Sequence, residues 1–492
     1  VKQIGTRIGV AIASGGARQW HYLMLECLGR TGIAVDLGEA LLPEVPSPWG
    51  CLLPLERLFA RPRPDLFAQT SIETVPLELA HADALVLSPG QRITDENLSR
   101  LPLGAFEIAP IHPSLMNHGV LEGRVLWRRA GSAPRLAASI TTCLGGPLPL
   151  SWAGPHMAKM ARLPAKLARR LALDVESFWD SCPEAEPLPL FSPGFGDWVR
   201  FFGGLAAFGL KRAWQDIFHR RQWHLAVRPG DGDPLRPGFA TEPFTPVYPP
   251  KGLGWADPIV FAKDGRNWLF IEEIPGQGKG VLSVMEFLPG GVLGKPLRVL
   301  EEPFHLSYPM VFEHEGTVYM VPESAQAKQV RLYRATDFPR GWVLDRVLLD
   351  DVSATDATFL EHGGSWWMFV NIRAGGGSSW DELHLYRSES RFGPFEAHPL
   401  NPVVSDVRRA RPAGPIIKRG GKLFRPAQDC SSWYGRALSM MEIVRLNESG
   451  YEEREATQLE PELIPGSFCL HTFESEGTLE IVDGQRRVPL WR

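Results

Sequence analysis

From residue 222 onward, apolar and polar positions alternate in short runs separated by glycine turns, and the runs repeat. Four segments align on a turn ending in glycine: DPIVFAKDGRNWLFIEE from Asp257, YPMVFEHEGTVYMVPES from Tyr308, DATFLEHGGSWWMFVNI from Asp356 and AGPIIKRGGKLFRPAQD from Ala413. The aligned glycines are Gly265, Gly316, Gly364 and Gly421, and a weaker fifth copy, CLHTFESEGTLEIVDG, carries Gly477. An apolar run, a glycine turn and a second run rich in aromatic and aliphatic residues make a β-hairpin. Each hairpin is followed by a second strand pair, such as VRLYRATDFPRGWVLDRVLL after the second copy. Four strands in roughly fifty residues describe one blade, so the pattern predicts an all-β five-bladed β-propeller over 222–492. The last copy is one strand short. QWHLAVR (222–228) can supply that strand and close the ring by pairing the two ends of the domain.

Before residue 155 the pattern is α/β and Rossmann-type. RIGVAIA reads as a strand, Gly15-Gly16 as a turn, and 19–29 as a helix with apolar Leu23, Leu25 and Leu28. DALVLSPG and FEIAPIHPSL read as later buried strands. The turn lacks G-x-G-x-x-G, so no dinucleotide cofactor is implied. Two helical segments lie between the halves. The first, 157–173, sets Lys159, Arg162, Lys166, Arg169 and Arg170 around Leu163, Leu167 and Leu171. Such a basic amphipathic helix suits either an anionic membrane surface or packing between domains. The predicted organisation is multidomain: an α/β domain over 1–155, a helical linker over 156–221 and the propeller over 222–492.

Composition narrows the partners. The formal charge of −4 on 492 residues leaves no basic footprint, which excludes a nucleic-acid reader. The six cysteines are scattered without a C-x-x-C pair, so neither a zinc site nor a disulfide framework is implied. The first residues, VKQIGTRIGVAIASGG, enter a strand directly and lack a secretory pattern, and the longest apolar stretch, 201–210, is too short to span a bilayer. These features predict a soluble, cytoplasmic protein.

The repeat alignment also predicts a site. First strands of all blades line the channel and start at one end. The residues eight before each glycine are therefore neighbours at one mouth: Asp257, Tyr308, Asp356, Ala413 and Cys469. The second strands return to that end at Glu272, Glu323, Asn371, Gln428 and Gly484. Four of these five are polar where a strand core should be apolar. Converging carboxylates in a partly dehydrated funnel shift one another's pKa, as acid/base chemistry requires. Asp257, Glu323 and Asp356 are the catalytic candidates. Loops add His305, Trp380 as a sugar platform, Asp381, the arginines Arg408, Arg409 and Arg411, and Asp429 beside Gln428. No metal ligands are implied. Local alternatives stand beside these readings. Asp257 suits a turn at the strand start, Glu323 an ion pair with one of the arginines, and Asp429 a cap on the turn before Ser431.

WADPIVF, EEPFHLSYPMVFEHEGTVYMVPES, SSWDELHLYRS and NPVVSDVRRARPAGPIIKRGGKLFRPAQD cover most of the propeller. They resemble the N-terminal domain of the plant glucosamine inositolphosphorylceramide transferases. The fold is also similar to five-bladed furanosidase-type glycosidases, which place an Asp in an x-D-P strand start as base or nucleophile, as Asp257 stands here. The resemblance implies a carbohydrate-active protein, either glycosidase-like or associated with sugar transfer. The alternative it leaves open is a non-catalytic glycan-binding or scaffold module partnering a glycosyltransferase. In the first domain, Pro110-Ile111-His112-Pro113-Ser114-Leu115 resembles the N-x-H-P-S-L strand end of formyltransferases. Pro110 replaces the Asn and no D-T-G-like segment follows, which implies a degenerate formyltransferase-like fold and, as a third reading, a nucleotide-sugar binder.

Overall fold

A computed structural model describes residues 7–12, 19–29, 31, 33–39, 75–76, 82–87, 91–108, 116–117, 120–143, 150–186, scattered positions within 196–218, and 219–490 apart from 277, 289–291 and 375–376. They form two compact units, 1–212 with 375–377, and 213–374 with 378–492.

The first unit is built on a mixed sheet. In spatial order its strands are Val75–Pro76, Ala34–Glu39, Arg7–Ile12, Ala84–Leu87, Gly104–Ile108, Val120–Arg128 and Met116–Asn117, with Arg135–Cys143 also paired to Val120–Arg128. The first five run parallel and the others antiparallel. Parallel strands buried on both faces read as the continuous apolar runs seen in the sequence, and Val10, Val86 and Phe106 are core. The Gly15-Gly16 turn and the formyltransferase-like segment with His112 lie outside the described residues.

The helix Leu150–Leu173 corrects one expectation. It is not a linker: Met157, Ala158, Met160, Ala161 and Leu167 belong to the first unit's core. Lys159 is buried and donates to the Thr141 carbonyl, and His156 meets the Thr142 hydroxyl at 3.1 Å. Of the other basic residues of this helix, Arg162, Lys166 and Arg170 are half-buried and Arg169 is exposed. Among the described residues, no helix is long and apolar enough to cross a membrane.

The second unit is a five-bladed β-propeller of antiparallel sheets with four or five strands each. The innermost strands are Leu253–Lys263, Ser307–His314, Ala354–His362, the broken pair Arg411–Pro412 and Ile417–Arg419, and Ser467–Glu476. His219–Pro229 pairs with Leu479–Pro489, from Leu479 opposite Pro229 to Pro489 opposite His219, so the two ends of the domain share one blade. A buried ion pair, Arg228 Nε to Glu480 Oε2 at 2.6 Å, holds this closure. Trp255 and Trp367 are buried among blade residues.

Four innermost strands break register at the same place: between Ala256 and Ile259, Ser307 and Met310, Thr355 and Thr358, and Leu470 and Phe473. In three of them the first bulge residue is left-handed without being glycine: Asp257 at φ 51°, Tyr308 at 46° and Asp356 at 56°. Bulges re-aim side chains, and strain of this kind clusters at ligand sites. Here they also join blades. The Asp257 N–H donates to Asp483 Oδ2 at 2.8 Å, and the Tyr308 N–H donates to Asp257 Oδ2 at 3.0 Å.

Candidate functional site

At the end of the channel where the second strands finish lies a cavity of ≈ 340 Å³. Four of the residues expected from the sequence line it: Glu272, His305, Glu323 and Arg411. Glu272 and Glu323 stand opposite Ala256 and Ser307, the last paired positions before each bulge. That register turns both carboxylates inward.

Glu323 accepts from the Ser307 hydroxyl at 3.0 Å and lies 3.7 Å from Arg411 Nη2. Burial and the nearby Asp356 push its carboxyl up to about 7, against the opposing pull of Arg411 and Ser307. Glu272 has no such donor. Burial, then Asp257 and Glu323, hold it well above the usual carboxylate range. Its Oε1 is 3.2 Å from His305 Nε2, though not aligned for a hydrogen bond. His305 Nδ1 accepts the Gly280 N–H at 2.9 Å, which puts the proton of the neutral ring on Nε2, facing Glu272. Burial lowers the His305 pKa and favours that neutral form. Gly280 has no room for a side chain: a Cβ would lie 2.2 Å from Glu272 Oε1 and 2.6 Å from the Leu306 carbonyl.

Asp257 and Asp356 sit behind the cavity wall. Asp356 is clamped by Arg411, Nε to Oδ2 at 2.5 Å and Nη2 to Oδ1 at 3.2 Å, with the Gln428 amide at 3.4 Å. Asp257 accepts from the Thr472 hydroxyl at 2.8 Å as well as from Tyr308. Burial raises it to about 6 although His471 pulls the other way. Tyr308 and Asn371 are fully buried, and the Tyr308 hydroxyl pairs with Thr358 at 2.7 Å and accepts the Gly414 N–H at 2.8 Å. Asp381 is likewise buried.

Arg408 and Arg409 point elsewhere, pairing with Asp406 at 2.8 and 3.4 Å. Asp429 is held by Arg436 at 2.6 Å and caps the Ser431 N–H at 2.8 Å, a structural post. Of the three arginines only Arg411 reaches the cavity, because only it stands in an innermost strand, opposite Gln428. Trp380 packs beside the cavity residue Tyr434, ring centroids 5.7 Å apart.

The sequence reading missed His471, Tyr434 and Trp223, all in the cavity wall. His471 follows Leu470 at the fifth bulge, the place assigned by counting to Cys469. The fifth hairpin is two residues shorter: Phe473 pairs with Val482 where the first blade pairs Ile259 with Phe270. Aligning the bulges rather than the glycines would have found it. His471 Nδ1 is 2.7 Å from Asp483 Oδ2, and its Nε2 is 3.1 Å from the Tyr434 hydroxyl and 3.5 Å from Asp257 Oδ1. Burial opposes a charge on His471, but Asp483 and Asp257 outweigh it and raise the imidazole above its ordinary value. Asp257, His471 and Asp483 have the donor types of a cation site. They already satisfy one another, however, and Asp483 Oδ1 takes the Thr472 N–H at 2.7 Å.

Asp257 and Glu323 keep their protons in the fold while the unfolded chain releases them near pH 4. Their stabilising contribution is complete below about pH 4 and is lost as pH rises through 6 and 7. The propeller should therefore melt lower at pH 8 than at pH 5. Glu323→Gln should flatten this slope, read as melting temperature against pH. An identical slope in the variant would refute the assignment.

Residues 251–463 match the family described as glucosamine inositolphosphorylceramide transferase 1, N-terminal. The glucosamine inositolphosphorylceramide transferase 1 of Oryza sativa subsp. japonica is 36% identical over 203 residues, covering 40% of this chain and 27% of that protein. The Arabidopsis thaliana protein of the same name is 33% identical over 205 residues, covering 41% and 27%. The chain thus spans 27% of the length of these curated relatives. Among solved structures, a family 117 glycoside hydrolase of Zobellia galactanivorans aligns at 11% identity and a TM-score of 0.35, over 55% of this chain and 91% of that one. The GH43_1 enzyme of Xanthomonas citri complexed with xylose aligns at 11% identity and 0.36, over 48% and 86%. Likeness at that level bears on neither substrate nor mechanism.

Proposed function

We propose that the propeller is carbohydrate-active and that Glu272 and Glu323 work as an acid/base pair on a sugar held in the cavity. The observation that carries this reading is the unequal pair. Two buried carboxyls face one cavity, and Glu323 helps to raise Glu272, but only Glu323 has Ser307 and Arg411 to support its charge. Glu323 therefore ionises first, and Glu272 keeps the proton. Glu272 is the proton donor to a leaving oxygen, and Glu323 is the carboxylate that activates water or opposes developing positive charge. Trp223 and Tyr434 supply flat apolar faces for a sugar ring. Asp257 and Asp356, the carboxylates favoured by the strand-start pattern, serve here as supports that fix the bulges and Arg411.

A non-catalytic sugar-holding module beside a glycosyltransferase is the second reading, favoured by Arg411. Its guanidinium occupies the space between Asp356 and Glu323 and ties down charge that a base would need. One experiment separates the two. The full chain is screened on a glycan array, and the bound glycans are then incubated and assayed for product. On the first reading Glu272→Gln keeps binding and loses turnover by roughly 10²–10⁴-fold, the usual share of a general acid. Binding without product by the wild-type chain supports the second reading. Undiminished turnover in both Glu272→Gln and Glu323→Gln refutes the first.

A further inference from the structure

We infer that Tyr434 is a nucleophile of this cavity, with His471 as its base and Asp483 as the group that orients the base. The three side chains stand in series: Tyr434 hydroxyl to His471 Nε2 at 3.1 Å, and His471 Nδ1 to Asp483 Oδ2 at 2.7 Å. A hydroxyl, a base within hydrogen-bond reach and a third group holding the base is the general arrangement of an activated nucleophile.

Each member is held from outside the series. Asp483 is fully buried and fixed by two backbone donors, the Thr472 N–H at 2.7 Å and the Asp257 N–H at 2.8 Å. Asp483 holds a proton on Nδ1, and the neutral form of the ring, which the raised pKa moves to higher pH, presents a lone pair at Nε2 to the phenol. The Trp223 ring covers the imidazole, centroids 4.4 Å apart. On the side of the phenol, Gly435 at φ 63° brings the chain so close that a Cβ would lie 2.6 Å from His471 Cβ. Arg436 anchors this loop to Asp429 at 2.6 Å and Glu460 at 2.8 Å. The Tyr434 ring is only half-buried, and both it and His471 line the cavity.

The charged surroundings fit a concerted step. Asp483, Asp257, Thr472, Tyr434 and Arg411 are the polar groups around the imidazole. Burial holds the phenol well above its ordinary range, with Arg411 opposing and Asp356 reinforcing the shift. A resting phenolate is thus disfavoured, so the proton must leave as the new bond forms, which is the task of His471. The Arg411 guanidinium lies 4.9 Å from the ring centre, placed to offset the negative charge that develops on the phenol.

On a glycoside, a use that rests on the reading above, the steps balance as follows. The Tyr434 oxygen bonds to the anomeric carbon and its proton passes to His471 Nε2. The bond to the leaving oxygen breaks, and that oxygen takes its proton from Glu272. Water then displaces the tyrosyl oxygen, giving one proton to Glu323, while the phenol recovers its own from His471. Ionised Glu272 is reprotonated through Glu323 by way of solvent.

The nucleophile can be tested without any sugar. The full chain is treated with phenylmethanesulfonyl fluoride, and modified tyrosines are mapped by mass spectrometry over time. In this reaction a tyrosyl O–S bond forms, the S–F bond breaks, fluoride leaves and the proton goes to the base. Tyr434 should be modified at least tenfold faster than Tyr248, which is 43% exposed. His471→Gln should remove that advantage, and Tyr434→Phe should abolish labelling at the site. Labelling of wild-type Tyr434 no faster than Tyr248 overturns the proposal without need of a variant. So does an undiminished rate in a His471→Gln chain. A failed glycan screen would sink the sugar reading and leave this result standing.

Discussion

Replacing Arg411 by Met should destabilise the propeller by about 3–5 kcal/mol, the usual cost of leaving a buried charge without its partner. The Met side chain keeps most of the volume and none of the charge. Asp356, 1% exposed, would be left with the Gln428 amide at 3.4 Å as its remaining side-chain donor. Glu323 would lose its nearest cation at 3.7 Å. Adding Asp356→Asn in the same chain should recover most of the loss, because removing both halves of a buried pair costs far less than removing one. Urea unfolding reads this as a lower midpoint in the single variant and near-restoration in the double. An unchanged midpoint in Arg411→Met would show that the clamp adds nothing to stability. Equal losses in single and double variants would show that its role is not electrostatic.

The second large effect concerns closure of the ring. Ala226→Pro should cost at least about 3 kcal/mol, since proline inside a flanked strand removes a ladder donor and clashes with its neighbours. Ala226 is fully buried and paired on both sides, to Val482 and to Pro246. Breaking this strand would release Arg228 from Glu480, which is fully buried, and expose the edge of Leu479–Pro489. The expected readout is a propeller transition at lower temperature with aggregation on heating, as an uncovered edge strand invites. A melting curve matching the wild type would mean that the closing strand is dispensable.

The repeat was legible because hairpins are local. Apolar runs, glycine turns and strand pairs all lie within a few residues of one another, so the blade count and the closing strand 222–228 could be read directly. The same local counting located Glu272 and Glu323, since four hairpins share one length and place these residues at the same height. It failed at the fifth, where one fewer pair moves the bulge from Cys469 to His471. It also weighted Asp257 and Asp356 as working groups, because their recurrence at strand starts is visible while their partners are not. The partners come from other blades: Asp257 meets Thr472 and Arg411 meets Asp356 across long stretches of chain.

What the amino-acid order determined by itself is the propeller, its closure by two distant ends, and a mouth ringed with carboxylates. Tertiary structure alone decided which of them open on the cavity. Bulge register and blade-to-blade packing turn Glu272 and Glu323 inward and bind Asp257 and Asp356 behind them. Tertiary structure likewise assembled Tyr434, His471 and Asp483, which stand on a loop and two strands of the last two blades. Periodicity reports the face on which a residue lies. Contact between blades depends on ring closure, which no local pattern encodes.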